Sequence, residues 1–275
     1  MRVKTVWGAY FSATGTTEKI VTCLAKAMAE LLGAECRLHS FSLPGEREQS
    51  LVFPKEDLVV LGIPVYAGRV PNVLLPFLKE KVLGSGTLAV PITLFGNRSF
   101  DDALIELCSI MQGNGFNTVS AGAFVGEHSF SRILGAGRPD DSDMALVLKL
   151  AEKTAEKIKN ITNQKAENVS VTGNEPIRPY YTPRDRHGNP INILKVKPKT
   201  DASKCTNCGL CSGICTMGSI NPADVCEVSG ICIKCCACIK KCPAQAKYFD
   251  DEGFLYHKSE LEEIYAQRAP VKLFY

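Results

Sequence analysis

Ten of the thirteen cysteines in this 275-residue chain lie between residues 205 and 242, and their spacing is regular. The first group reads Cys205-Thr-Asn-Cys208-Gly-Leu-Cys211-Ser-Gly-Ile-Cys215, and the second Cys232-Ile-Lys-Cys235-Cys236-Ala-Cys238-Ile-Lys-Lys-Cys242-Pro243. Both are C-x2-C-x2-C-x3-C ladders. Three cysteines two residues apart let one compact loop wrap an iron–sulfur cubane and reach three of its irons. The fourth, three residues further on, has turned away and faces a second site. Disulfides suit a secreted chain, and the N-terminus Met-Arg-Val-Lys-Thr-Val-Trp-Gly has no secretory apolar region. A four-cysteine zinc site separates two C-x2-C pairs by a longer loop. The ladders therefore predict two [4Fe–4S] clusters. Cys226 and Cys236 fall outside the spacing and read as spare thiols.

The ladders resemble those of bacterial two-cluster ferredoxins, in which the fourth cysteine ligates the other cluster. On that pattern Cys205, Cys208, Cys211 and Cys242 hold one cluster, and Cys232, Cys235, Cys238 and Cys215 the other. One departure is visible. Thr216 follows Cys215 where the motif has proline, as Pro243 follows Cys242. It weakens the turn, not the ligand role. Lys234, Lys240 and Lys241 stand in the second ladder, where their charge would raise a cluster's potential.

What positions such a unit is read from the rest of the chain. A hydrophobic fraction of 45% is enough for a sizeable core, and the length fits two domains of unequal size. No run of 18 apolar residues appears, so no membrane insertion is expected. The net charge of +3 is small and dispersed, which argues against nucleic acid. Cubanes are oxygen-sensitive, so the expected compartment is the reducing cytoplasm of an anaerobe.

Residues 3–10 read as a buried strand, followed by Ser12-Ala13-Thr14-Gly15-Thr16-Thr17 and a helix with Ile20, Leu24, Ala27, Met28 and Leu31 on one face. A hydroxyl- and glycine-rich loop at a helix start presents N–H groups to a phosphate. A helix cap would use the same residue types. A Walker lysine is absent, and Gly135-Ala-Gly137 lacks the context of a dinucleotide fingerprint. Further strands are expected at 34–40, 57–63, 87–94 and 117–124, with helices near 71–82, 99–113 and 140–161. Five alternating strands predict an α/β doubly wound parallel sheet, with ligands at the C-terminal strand ends. Two of those ends carry Pro64-Val65-Tyr66-Ala67-Gly68 and Phe95-Gly96-Asn97-Arg98-Ser99-Phe100, small residues mixed with aromatics.

Together with the first loop, these residues resemble the flavodoxin family. The resemblance implies FMN, with its phosphate on Ser12 to Thr17. Pro64 to Gly68, with Tyr66, would lie against the ring, and Phe95 to Phe100 would hold its other edge through backbone N–H groups. Gly126-Glu127-His128-Ser129 adds a histidine that either fixes its loop or donates a proton; no catalytic residue is assigned beyond this candidate.

The expected organisation is a flavodoxin-like FMN domain at 1–163, an extended Pro/Arg-containing linker at 164–198, a small α+β two-cluster ferredoxin domain at 199–250, and a C-terminal segment, 251–275, packing on the body. The clusters would also staple a unit too small for an apolar core of its own. The order resembles flavodoxin–ferredoxin fusion proteins, which implies electron transfer between FMN, two clusters and a redox partner protein. The alternative is an FMN-dependent reductase of a small substrate fed by the clusters. A redox sensor ranks third, and a homodimer is compatible with each.

Overall fold

The computed structural model describes residues 2–161 and 167–275, so the expected boundary at 163/164 lies outside the described residues. In chain order the elements are β1 (Thr5–Tyr10), α1 (Thr16–Leu32), β2 (Glu35–Ser40), β3 (Leu51–Phe53), β4 (Asp57–Pro64), α2 (Leu75–Glu80), β5 (Val82–Gly84), β6 (Thr87–Phe95), α3 (Ala103–Gly113), β7 (Phe116–Thr118), β8 (Ala121–Val125) and α4 (Asp141–Asn160). After these come β9 (Lys199–Thr200), α5 (Leu210–Gly213), α6 (Ala237–Lys240), β10 (Lys247–Tyr248), α7 (Glu252–Ile264) and β11 (Lys272–Phe274).

β2, β1, β4, β6 and β8 lie side by side in that order, all parallel. Counted as five strands, this is the 2-1-3-4-5 order of flavodoxin-like sheets. All nine residues of β6 are buried, as are seven of the eight in β4, so both read as continuous apolar runs rather than alternating ones. β2, at the edge, is largely exposed.

α1 and α4 cover one face over a core of Ile20, Leu24, Met28, Val147 and Leu150. α2 and α3 cover the other, over Phe41, Phe77, Leu78, Leu107 and Met111. Gly62 lets α1 settle on β4, because a Cβ there would overlap Val21 and crowd Thr17. That close approach fixes Thr17 over the strand ends.

The fifth strand is not the single run expected at 117–124. It breaks at Val119 and Ser120 into β7 and β8, both parallel to β6. The break lets the outer edge serve two partners. Thr118 accepts from the Val169 amide at 2.6 Å and donates its own amide to Asn168 Oδ1 at 2.9 Å. β8 instead receives β11, antiparallel, with Lys272 opposite Ala123. The sequence also offered no signal for the two-stranded sheet of β3 and β5.

Residues 167–198 have almost no regular structure and are mostly exposed, as expected of a linker, yet part of the segment is tied to the body. They form a strap. Asp102 accepts from the Asn174 and Arg178 amides and from both side chains. Burial alone would raise the Asp102 carboxyl, but these bonds outweigh it and hold it below the carboxylate range. The Tyr181 amide donates to Ala67 O at 2.8 Å, Tyr180 Oη to Val70 O at 2.8 Å, and Arg98 stacks over the Tyr181 ring.

Candidate functional site

The C-terminal strand ends open into a cavity of about 500 Å³. Ala13, Thr14, Thr16 and Thr17 line it from the end of β1 and the start of α1, and Pro64, Val65 and Tyr66 from the end of β4. Phe95 and Gly96 come from β6, and Gly126, Glu127, His128 and Ser129 from the loop after β8. α1 starts on Gly15, at φ 105°, which has no side chain to cap the helix, so the amides of Thr16 and Thr17 remain for an anion. Ser12 does not reach the cavity. Its Oγ accepts from the Glu18 amide at 3.1 Å and its amide donates to Ser42 Oγ at 2.8 Å, which closes the loop.

Several expected site residues are engaged elsewhere. Ala67 and Gly68 form the left-handed turn, at φ 50° and 76°, that returns the chain to Arg69. The Asn97 side chain donates to Tyr265 O and Gln267 O and accepts from the Ala269 amide, so it fastens the C-terminal segment. Arg98 pairs with Asp101, and Phe100 packs on Phe95 at 5.7 Å. None of these side chains lines the cavity.

His128 does line it. Its loop presses on Gly96, where a Cβ would overlap the imidazole. Nδ1 accepts from the Phe130 amide at 3.1 Å, so the neutral ring carries its proton on Nε2. Burial, then Lys240, His257 and Arg98, push its pKa down to about 4. Lys240, expected to act on a cluster, instead crosses to this loop. It donates to Glu127 Oε1 at 2.5 Å and to His128 O at 2.6 Å.

The two cysteine ladders build one backbone twice, offset by the 27 residues between Cys205 and Cys232. Asn207, Gly209 and Gly218 are left-handed, at φ 51°, 73° and 61°. Lys234, Cys236 and Gln245, their counterparts, are too, at 55°, 59° and 51°. Cys236 therefore stands where the first ladder has glycine, and it is buried with its thiol donating to Lys234 O at 3.4 Å. In each half an amide four residues on donates to the last cysteine, Ser219 N–H to Cys215 Sγ and Ala246 N–H to Cys242 Sγ, both at 3.3 Å.

Among the described residues no group of three or more His, Cys, Asp or Glu side chains is placed to hold a metal ion. The ladder thiols surround two cavities instead. One is lined by Cys205, Cys208, Cys211 and Cys242 (the far set), and the other by Cys215, Cys232, Cys235 and Cys238 (the near set). Cys236 also lines the second cavity; apart from that thiol, each cavity draws three cysteines from one ladder and a fourth from the other. The sulfur environments differ between the two sets. Burial acts to raise Cys242, but the amides of Ala246, Ala244, Lys247 and Gln245 outweigh it and hold the thiol below its ordinary value. Cys238 is pushed up to about 12 by burial and then by Cys235 and Cys232, which crowd it.

The near set touches the strand-end cavity. Cys235 lines both, and sequence reasoning had placed it in only one. Ala237, with Ile214, Ile233 and Cys235, packs into the core around Phe11 and Phe41. Arg47 also ties the two units, donating to Phe41 O, Ser42 O and Thr216 O, each at 2.8 Å. Burial pushes the Tyr66 phenol well above its ordinary value, and Cys235, Cys236 and Cys232 add to it.

No family model and no curated protein matches the chain. Similar solved structures include a flavodoxin from the domain Archaea, 17% identical, covering 57% of this chain and 100% of its own, at a TM-score of 0.43. Flavodoxin 2 from Bacillus cereus is 19% identical over 56% of this chain and 99% of its own, at 0.40. An NADH:FMN oxidoreductase is 14% identical over 60% of this chain and 95% of its own, at 0.42. At these values the fold assignment rests on the strand order. No described helix is long and apolar enough to cross a membrane.

Proposed function

We propose that the chain is an electron-transfer protein that binds FMN at the strand ends and a [4Fe–4S] cluster in each cysteine-lined cavity. The observation that carries this is Cys235, one side chain in the walls of both the strand-end cavity and the near cysteine cavity. A ligand of one centre thus borders the pocket of the other. The ladder spacing supports cubanes, and so do the amides turned toward Cys215 and Cys242. The Thr16 and Thr17 amides at the start of α1 and the aromatic Tyr66 support a phosphate-bearing flat ring.

When bound, FMN takes electrons in pairs or singly and each cluster takes one. The chain supplies the frame. Thr14, Thr16 and Thr17 would hold the phosphate, Tyr66 and Gly96 would flank the ring, and the apolar seat around Ala237 excludes water between the units. Lys240, bound to Glu127 and His128 O, keeps the second ladder on the pocket.

The test is anaerobic purification with iron, sulfide and flavin quantitation and an EPR-monitored redox titration. About eight irons and one FMN per chain are expected. Iron without flavin overturns the strand-end half of the reading, and zinc in place of iron overturns the electron-transfer reading.

One observation favours a second reading, an FMN-dependent reductase of a small substrate. His128 offers a neutral Nε2–H donor within the cavity wall. If it donates to a substrate, His128→Asn would slow reduction of a small acceptor without changing bound iron or flavin. If it fixes its loop, flavin affinity would fall instead.

A further inference from the structure

Lys247, in β10, follows the residue whose amide bonds Cys242, and it lines the far cysteine cavity. It is only 3% exposed. Its ammonium donates to Thr200 Oγ1 at 2.7 Å and to Val225 O, both neutral acceptors. Among the described residues it has no carboxylate partner. A buried cation so placed is unfavourable unless an anion compensates it. An ammonium has three donors, two are spent, and the cavity it lines is walled by four thiols. At the matching position of the other half, 27 residues earlier, stands Ile220, equally buried and bridged to Val228. At this position the repeated scaffold thus carries a buried charge in one half and a hydrocarbon in the other; Lys234, in the wall of the near cavity, is only half-buried and donates to Leu194 O and Cys232 O.

We infer that Lys247 is the countercharge of the cluster held by Cys205, Cys208, Cys211 and Cys242, and that it sets this cluster's potential above that of its neighbour. The inference rests on the reading of the two cavities as cluster sites. A cubane held by four thiolates is a net anion and becomes more negative when it accepts an electron. A fixed positive charge in its wall therefore favours the reduced form. On stepwise reduction the first cluster electron settles in the far half.

The full chain is purified anaerobically as wild type, Lys247→Met and Lys247→Arg, with iron analysis and an EPR-monitored titration of each. In Lys247→Met the higher cluster midpoint should fall by at least tenfold in the reduction equilibrium, about 59 mV for one electron. The lower midpoint should move less, and Lys247→Arg should keep the gap. Loss of the far cluster alone in Lys247→Met, with its retention in Lys247→Arg, supports the same role. Unchanged midpoints at full iron content overturn it, as do equal shifts of both clusters or a shift that Lys247→Arg shares. Failure of both variants to accumulate as folded protein overturns it too, since packing and not charge is then what the position requires. Wild-type protein without iron is a separate outcome: it removes the cluster reading itself.

Discussion

The two halves of the cysteine unit share a backbone and differ in what surrounds it. The near half is built into the body. Ala237 is 1% exposed in the apolar core, and Thr216 is buried with its hydroxyl donating to Cys235 Sγ at 3.7 Å. The far half meets solvent: Cys208 is exposed, and Leu210, the repeat counterpart of Ala237, is 42% exposed. The lesson is that local spacing sets how a site is wrapped, while its role is set by which elements it is pressed against. Under the proposed function, the near half exchanges electrons with the pocket and the far half exchanges them with a partner protein.

The largest effects should come from the ligands. Cys208→Ala is expected to lose the far cluster, leaving about four irons and one flavin per chain. Cys235→Ala is expected to lose the near cluster and weaken flavin retention as well, because it removes part of a shared wall. Iron and flavin stoichiometry reads both, and flavin loss in Cys208→Ala would break the comparison.

Next is packing. Ala237→Arg forces a long charged side chain into the core and should cost on the order of 3 kcal/mol. Leu210→Arg, at the matching position, should stay within about 0.5 kcal/mol. Chemical denaturation of the two variants side by side measures the difference.

The pocket side of the near half also carries a pH signature. His128 and His257 are both pushed down to about 4 by burial first, with Arg98 contributing to each. Both rings are neutral when folded and gain protons on unfolding below about 6.5. Stability should therefore be fully present above that pH and be lost as pH falls toward about 4, by roughly 2 kcal/mol per histidine. His257→Asn should flatten the profile of unfolding free energy against pH.

The smallest effect is expected at Thr216→Val. Removing one weak O–H to sulfur bond should lower the near cluster's midpoint by less than tenfold in equilibrium, under about 59 mV. Redox titration against the Lys247 variants would then rank a hydrogen bond against a full charge.

Legibility in the sequence followed locality. The grouping of the ladder cysteines was readable because each turn of wrapping is three or four residues long, and the exchange of Cys215 and Cys242 between the two sets was implied by the resemblance to two-cluster ferredoxins. β1, β4 and β6 were readable because central parallel strands are unbroken apolar runs. The loops at Thr14 and Tyr66 were readable by type and place. What escaped depends on contacts between distant segments. Nothing in Ala246-Lys247-Tyr248 marks Lys247 as buried, since its environment is made by Thr200 and Val225. Residues 167–198 look like a tether until Asp102 is placed beneath them. Asn97 sits at the expected strand end but turns its amide to a segment far along the chain.

β11 has a consequence for how the molecule is made. The outermost strand of the sheet is translated after both cysteine ladders, yet it pairs with β8, made long before them. During synthesis β8 emerges with that edge unpaired, and Asn97 and Arg138 lack the backbone partners supplied by Tyr265 to Ala269. The nascent body is thus an open sheet until the cysteine ladders have left the ribosome. Long-range closure of this kind is slow. Under the proposed function, an assembly order follows: the interval before closure is when iron would have freest access to the ladders.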